Sequence, residues 1–421
     1  MDEQQFIIKL KRLTGIILLL VLLIVNPVTL NVLSGDALKE ISLYVTRYLW
    51  MIDLWILLAF ISLFIRGMVR KGHMVVFILF SLFVAVELTS AIAYRISYGR
   101  WHITERPYNS IFERHPYIVG TPRPNAIMSD RKNPDKTIQI NRYGQRGQDY
   151  PLEKPKGVKR LVAIGGSTTF CTGVDNAQTW PYLLEKALKD DHFQVINMGA
   201  PGYATSEHVI QTAFHLYDVQ PDYVLYYVGW NDLRNAHIRN LKSDYSGFHG
   251  RSQYSNLRLP PILTNRNLAS LVFLTKFLQK RAILSTSLSD TRYKSGELSH
   301  EPDIRAMDIY ESNLNSLIVL SRNKGAQPVM IPQILNKDAL TGEGVYGWVP
   351  YVRDKDVMGF NKRYNAALKS VALEHNVPFL HEVQDVDWKA DDFVDQGHFS
   401  FKGNRRFAVA VSQGLKRIMA K

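Results

Sequence analysis

From Lys159 onward, short apolar segments alternate with longer amphipathic segments. The short segments have strand length and lie at residues 160–164, 194–197, 223–228, 327–331 and 377–380. The longer segments have helix length and lie at residues 180–189, 206–217, 304–323, 360–375 and 403–420. Strands that are separated by helices pair in parallel, and helices cover parallel sheets on both faces. The alternation therefore predicts an α/β domain over residues 159–421, built on a mainly parallel, five-stranded sheet.

Three apolar runs precede this domain, at residues 15–33, 48–65 and 74–94. Each run approaches the length that a helix needs to cross a bilayer. Basic residues lie before the first run and between the second and third, which places the N-terminus in the cytoplasm. We therefore predict a three-helix membrane anchor over residues 1–95 and an extracytoplasmic or periplasmic domain. A cleaved signal peptide is the alternative for the first run, but two further apolar runs follow it.

Two acidic residues, Asp53 and Glu87, interrupt the apolar runs. Carboxyl groups inside a membrane are costly and often functional. One interpretation is local: Asp53 lies at the interface, and Glu87 snorkels or forms hydrogen bonds nearby. The other is that these carboxyl groups dock a partner in the membrane.

Two segments depart from the strand–helix pattern. Residues 96–158 are rich in Pro, Arg and Asn, and predict a linker with a short β decoration. Residues 233–303 form a long insertion, and such insertions usually have a function or their own structure. Residues 268–284 within the insertion predict a basic amphipathic helix. This helix either packs on the domain or acts as a lid or membrane-surface helix.

The composition favours a membrane surface over nucleic acid as the partner of the basic charge. The chain has 421 residues and a net charge of +13. It has no zinc-finger spacing and no basic block with interleaved aromatic residues. Its single cysteine, Cys171, excludes an intrachain disulfide. No motif indicates a metal site, and we expect neither a metal nor a cofactor.

Four short sequence blocks that contain candidate catalytic residues lie after or between the predicted elements. They are Gly-Gly-Ser at 165–167, Asn-Met-Gly-Ala-Pro-Gly at 197–202, Gly-Trp-Asn-Asp at 229–232 and Asp-Gln-Gly-His at 395–398. Open α/β sheets carry their chemistry beyond the carboxyl ends of their strands. The blocks are therefore expected to converge on one crevice.

These blocks contain the parts that acyl transfer requires. Ser167 needs a base to become nucleophilic, and His398 can act as that base. Asp395 lies three residues before His398 and can orient its imidazole. The Ser167 N–H, the Gly202 N–H and the Asn231 amide can stabilise an oxyanion.

Some of these choices have competitors in the sequence. Gly199 competes with Gly202, which we favour for its spacing from Asn197. Asp391 and Asp392 compete with Asp395, but lack the three-residue offset from the histidine.

Taken in order, the four blocks resemble those of the SGNH/GDSL hydrolase superfamily. The resemblance covers residues 159–421 apart from the insertion. It implies a three-layer α/β/α, flavodoxin-like fold, with Ser167 as nucleophile, His398 as base and Asp395 as its orienting residue. It also implies an oxyanion hole of Ser167, Gly202 and Asn231. Gly166 replaces the aspartate of the family's usual Gly-Asp-Ser-Leu block, and Thr168 replaces its leucine.

The resulting expectation is a membrane-anchored serine esterase or acyl hydrolase that acts on an O-acylated envelope glycan or lipid. One alternative is an O-acyltransferase that passes an acetyl group to a polysaccharide, with a membrane-bound O-acyltransferase as partner. Another is a non-catalytic, membrane-tethered scaffold or binding protein.

Overall fold

The structure, a computed structural model, describes residues 3–33, 43–66, 68–99, 101–102, 111–115, 118, 120–129, 137–188, 192–239, 241–245, 268–280, 298–344, 349 and 351–420. Its strands are β1 (Phe112–Arg114), β2 (Gly120–Pro122), β3 (Ile127–Ser129), β4 (Thr137–Gln139), β5 (Lys159–Gly165), β6 (Phe193–Asn197), β7 (Tyr223–Tyr227) and β8 (Gln327–Ile331). Its helices are α1 (Glu3–Val25), α2 (Pro27–Leu33), α3 (Leu43–Ser62), α4 (Met68–Tyr98), α5 (Ser167–Phe170), α6 (Trp180–Ala187), α7 (Thr205–Val219), α8 (Ala269–Lys280), α9 (Ile304–Asn323), α10 (Asp354–Glu374) and α11 (Phe401–Met419). The chain divides into two compact units, Met1–Tyr108 with Leu259–Ser285, and Asn109–Arg258 with Thr286–Lys421.

The first unit corrects the prediction of three membrane-spanning helices. Of the helices among the described residues, one is long and apolar enough to cross a membrane, and it spans Val69–Ser97 within α4. Its 29 residues extend about 44 Å at the usual helical rise, whereas a bilayer core is about 30 Å thick. The third predicted run, 74–94, lies inside this helix.

The first two predicted runs also form helices, but their bounds differ from those predicted. The run at 15–33 is divided, because α1 ends at Val25 and α2 begins at Pro27. Asn26 lies between them and its Oδ1 accepts the Thr29 N–H at 2.9 Å, as a helix N-cap does. The run at 48–65 lies mostly within α3, which also carries Arg47 and Asp53.

Glu87 is fully buried in the first unit and receives several hydrogen bonds. Its Oε2 accepts the Ala269 N–H at 2.7 Å and the Tyr48 hydroxyl at 3.0 Å. Ala269 is the first residue of α8, which packs against α4. The predicted insertion helix is therefore part of the first unit as far as Lys280; residues 281–284 lie outside the described residues. Asp53 is 5% exposed, and its carboxylate has no hydrogen-bond partner among the described residues.

The second unit is an α/β domain with a parallel sheet of four strands in the order β6-β5-β7-β8. The prediction of a fifth strand at 377–380 is wrong. This segment pairs with β8 only through a bridge between Met330 and Phe379. Pro378 has no N–H to extend the ladder, and the chain enters a 3₁₀ turn at His381–Val383.

Buried residues of the central strand alternate between two cores, one on each face of the sheet. Val162 and Ile164 lie in the core under α7, α9 and α10. Leu161 and Ala163 lie in the core under α6 and α11. The sheet is therefore covered on both faces, which is why its strands are apolar without polar alternation.

The segment before β5 contains two small antiparallel sheets, β1 with β2 and β3 with β4. Further bridges join Ile140 to Arg146 and Arg146 to Asn197, the last residue of β6. The β decoration of this segment is thus bonded directly to the edge of the parallel sheet.

Candidate active site

The strand order creates a crevice at the carboxyl edge of the sheet. The chain passes from β5 to β6 on one side, and then crosses to β7 on the other side of β5. Ligands of open α/β sheets bind where such connections diverge. Ser167 follows the central strand β5, Gly202 follows β6 and Asn231 follows β7.

The turn that presents Ser167 depends on two glycines. A Cβ at Gly165 would lie 2.3 Å from the Tyr227 carbonyl oxygen of the neighbouring strand, and one at Gly166 would lie 2.3 Å from the Asn231 Nδ2. The chain can therefore turn sharply from β5 into α5 only because both side chains are missing. Ser167 is the first residue of α5, so its N–H has no acceptor within the helix.

His398 connects Ser167 to Asp395. The Nε2 of His398 lies 2.7 Å from the Ser167 Oγ, and its Nδ1 lies 2.8 Å from the Asp395 Oδ2. The Asp395 Oδ1 also accepts the N–H groups of Gly397 at 2.9 Å and His398 at 2.8 Å. Burial alone would raise the Asp395 pKa. The hydrogen bonds from His398 and Gly397, together with the charge of His398, outweigh burial and lower the Asp395 pKa to about 2. The carboxylate is therefore ionised at any physiological pH.

The loop that carries Asp395 and His398 is closed at its base and supported from below. The Val394 N–H donates to the His398 carbonyl oxygen at 2.8 Å. Trp230 packs against the loop, and a Cβ added at Gly397 would lie 3.0 Å from the Trp230 Cε2. The loop holding the histidine thus rests on the residue that precedes Asn231.

The geometry favours the Gly202 N–H over the Gly199 N–H as a candidate oxyanion donor. The Gly199 N–H already donates to the Asn197 Oδ1 at 2.9 Å. Gly202 lies in a tight turn with φ +84°, and its N–H has no partner among the described residues. The Asn231 Nδ2 donates to the Tyr203 carbonyl oxygen at 2.8 Å, directly after Gly202, and keeps a second N–H.

The other acidic candidates are engaged elsewhere. Asp391 forms an ion pair with Lys402 at 2.7 Å. The buried Asp392 carboxylate bonds to Arg406. Asp232, the neighbour of Asn231, accepts the Thr205 hydroxyl at 2.6 Å and so fixes its own loop.

Sequence reasoning missed Arg146, which holds the segment after Ser167. Its guanidinium donates to the carbonyl oxygens of Phe170, Cys171 and Val174, the last two at 2.6 Å, and to the Asn176 Oδ1 at 3.0 Å. Burial lowers the Arg146 pKa to about 10. Nothing in the sequence distinguishes this arginine from the other arginines around it, since all its acceptors lie 24 or more residues away.

Asn197 is a second residue whose role the sequence did not indicate. Besides the Gly199 contact, its Nδ2 donates to the Thr169 carbonyl oxygen at 3.0 Å. It thereby joins the second block to the helix that follows Ser167.

Residues 163–406, more than half of the chain, match the GDSL-like Lipase/Acylhydrolase family. The chain belongs to this family. The resemblance to SGNH/GDSL hydrolases is therefore confirmed, and the chain is a serine hydrolase with the α/β fold of that group. The sequence matches no curated protein.

Among solved structures, the chain is similar to a GDSL-like lipase from Bacteroides thetaiotaomicron, at 12% identity and a TM-score of 0.37 over 63% of this chain and 92% of that one. It is similar to the esterase EstA from a Pseudoalteromonas species, at 11% identity and a TM-score of 0.37 over 62% of this chain and 100% of that one. It is also similar to a catalytic mutant of an acetylxylan esterase from Geobacillus stearothermophilus, at 15% identity and a TM-score of 0.36 over 61% of this chain and 94% of that one.

Proposed function

We propose that the chain is a membrane-anchored serine esterase that cleaves O-acyl esters through Ser167, His398 and Asp395. One observation carries this proposal: a single imidazole stands within hydrogen-bond distance of both the hydroxyl, at 2.7 Å, and the carboxylate, at 2.8 Å. Nucleophile, base and orienting group in this relation define a catalytic triad by geometry and not by sequence position.

In the first half-reaction, the Ser167 Oγ attacks the ester carbonyl carbon while the His398 Nε2 takes the hydroxyl proton. Asp395 accepts the Nδ1–H and stabilises the imidazolium that forms. The carbonyl oxygen becomes an oxyanion that the N–H groups of Ser167, Gly202 and Asn231 stabilise. Collapse of this intermediate releases the alcohol, which takes its proton from His398, and leaves an acyl group on Ser167.

In the second half-reaction, His398 removes a proton from water, and the resulting hydroxide attacks the acyl carbon. Collapse of this second intermediate breaks the bond between the acyl carbon and the Ser167 Oγ, which takes the proton back from His398, and releases the free acid. A sugar hydroxyl in place of water gives acyl transfer by the same steps. The alternative of an O-acyltransferase with a membrane-bound O-acyltransferase partner therefore differs only in the acceptor.

The proposed location follows from the first unit. The helix Val69–Ser97 has the length and composition of a membrane span, and α1 and α3 are long apolar helices of the same unit. We propose a multi-pass anchor with a cytoplasmic N-terminus and an extracytoplasmic, periplasmic-side catalytic domain. Its substrate would then be an O-acylated glycan or lipid of the cell envelope.

The test uses the full chain in detergent with p-nitrophenyl acetate. Ser167→Ala should lower kcat/KM by at least about a hundredfold, since loss of a triad member usually costs more. Ser316→Ala, on the outer side of α9, is the matched control and should keep full activity. A fluorophosphonate should label the wild type and not the Ser167 variant. Equal rates from the two serine variants would overturn the proposal, and would favour a non-catalytic scaffold.

A second assay separates hydrolysis from transfer. Esterified and free oligosaccharides are supplied together, and both free acid and newly acylated sugar are measured. Free acid as the main product supports the esterase, whereas acylated sugar in excess supports the transferase.

A further inference from the structure

Tyr203 lies where two of the proposed oxyanion donors meet. It directly follows Gly202, and its carbonyl oxygen accepts the Asn231 Nδ2 at 2.8 Å. Its N–H donates to the Ala200 carbonyl oxygen at 3.2 Å, which closes a four-residue turn around Gly202. The Pro-Gly pair at the centre of this turn and the φ of +84° at Gly202 are typical of a type II turn. The positions of both donors therefore depend on the backbone of Tyr203.

The two loops that carry these donors are also bonded to each other close to Tyr203. The Thr205 hydroxyl donates to the Asp232 Oδ1 at 2.6 Å. Thr205 comes two residues after Tyr203, and Asp232 directly follows Asn231. Because the loops are joined by this bond and by the bond from Asn231 to Tyr203, a shift of Tyr203 would displace both donors together.

The side chain of Tyr203 is fixed by a segment that precedes the parallel sheet. Tyr203 is 3% exposed, and its hydroxyl donates to the Gly120 carbonyl oxygen in β2 at 2.8 Å. Burial raises the pKa of this hydroxyl, which therefore stays protonated and can donate at physiological pH. Ile118, between β1 and β2, packs in the same apolar cluster as Tyr203. Both Ile118 and Gly120 lie outside residues 163–406, over which the chain matches its family.

We propose that Tyr203 is a positioning residue, whose hydroxyl ties the oxyanion hole to the ribbon of β1 and β2. Donors stabilise an oxyanion only when they are already aimed at the place where the charge develops, and such sites tolerate displacements of about 0.5 Å. The bond to Gly120 holds the ring of Tyr203, and the ring holds the turn that contains Gly202. The proposal rests on the proposed esterase function, with Gly202 and Asn231 as oxyanion donors.

The test measures kcat and KM of the full chain in detergent on p-nitrophenyl acetate. Tyr203→Phe keeps the ring and removes the bond to Gly120. It should lower kcat by about tenfold, which is a fraction of the loss of about 10²–10³ that follows removal of a whole oxyanion donor. KM should change by less than about twofold, because the charge that the donors stabilise develops in the transition state and not in the bound ester.

Tyr150→Phe is the matched control for the loss of a buried tyrosine hydroxyl. Tyr150 is 8% exposed, and its hydroxyl donates to the Gln145 Oε1 at 2.6 Å. Gln145 belongs to neither of the donor loops. Each variant loses one buried hydrogen bond, which contributes about 0.5–1.5 kcal/mol to stability, so both should lower the Tm. Only Tyr203→Phe should lower kcat.

A double-mutant cycle with Asn231→Ala shows whether Tyr203 acts through the donors. Tyr203→Phe should lower kcat less in the Asn231→Ala chain than in the wild type, because one of the donors that it positions is already missing. An unchanged kcat for Tyr203→Phe, equal losses from the two tyrosine variants, or an equal loss with and without Asn231 would overturn the inference. Failure of the esterase proposal is seen separately, because Ser167→Ala would then turn over the ester as fast as the wild type.

Discussion

Gly397 rests against the indole of Trp230: a Cβ added at Gly397 would lie 3.0 Å from the Trp230 Cε2 and 3.2 Å from its Cζ2. Trp230 directly precedes Asn231, and Gly397 directly precedes His398. The contact therefore fixes the position of His398 relative to Asn231, the proposed oxyanion donor. Such a contact can set the distance between reacting groups, because catalysis is sensitive to shifts of about 1 Å.

Gly397→Ala should lower kcat/KM by about tenfold with a smaller effect on stability, because the methyl group lifts the His398 loop off the indole. Trp230→Phe removes the crowded ring atoms, so the double variant should recover part of the lost activity. The four proteins form a double-mutant cycle measured on p-nitrophenyl acetate. Additive losses would show that the two residues do not act on each other.

Gly166→Ala should lower kcat by about a hundredfold. Its Cβ would lie 2.3 Å from the Asn231 Nδ2, and must displace a proposed oxyanion donor, whose loss typically costs about 10²–10³ in kcat. In an Asn231→Ala background, Gly166→Ala should cause little further loss. A full additional loss there would mean that the glycine serves another purpose.

The local blocks could be predicted from the sequence because each depends on neighbours in the chain. A strand ending in two glycines and a serine, or an aspartate three residues before a histidine, is visible in a short window. The Gly397 contact with Trp230 joins residues far apart in the chain, and no window contains both. The prediction of a fifth strand failed for a related reason. The segment 377–380 has the composition of a strand, but only Phe379 pairs with β8, through a bridge to Met330.

Arg146→Lys should destabilise the domain by about 2–4 kcal/mol and lower activity. Arg146 is 4% exposed, and its guanidinium donates to the carbonyl oxygen of the last residue of α5 and to two carbonyl oxygens beyond it. A lysine cannot reproduce this fork, and so leaves buried acceptors unpaired. Thermal unfolding and aryl ester turnover measure the two effects. Arg142→Lys is the control, because that exposed side chain forms an ion pair with Asp149 and lies over the Tyr143 ring, both of which a lysine can keep, and it should change little.

Asp395 should contribute to stability in a pH-dependent way. Its pKa falls from 3.8 to about 2 on folding, so the contribution is present above about pH 4 and is lost as the pH falls towards 2. Because 44% of the side chain is exposed, solvent screening limits the effect to about 1 kcal/mol, or about 2–4 °C in Tm. Asp395→Asn should therefore unfold at a lower temperature than the wild type at pH 6, with a difference that narrows below pH 4. A difference independent of pH would show that the ionised carboxylate is not the source of the stabilisation.

Glu87→Ala should loosen α8 from the first unit. The Glu87 carboxylate accepts the Ala269 N–H, the Tyr48 hydroxyl and the Ser270 hydroxyl. Its removal takes these bonds away from the start of α8, although the Ala269 N–H keeps the Tyr48 hydroxyl as an acceptor at 3.0 Å, and costs about 1–3 kcal/mol. Cleavage by a protease within residues 259–285 should then be at least about tenfold faster, since cleavage follows the population of the open form. Asp53→Ala is the control, because its carboxylate has no hydrogen-bond partner among the described residues, and it should not accelerate cleavage. Equal acceleration by both changes would show that the effect comes from general loosening of the first unit and not from the bond between Glu87 and α8.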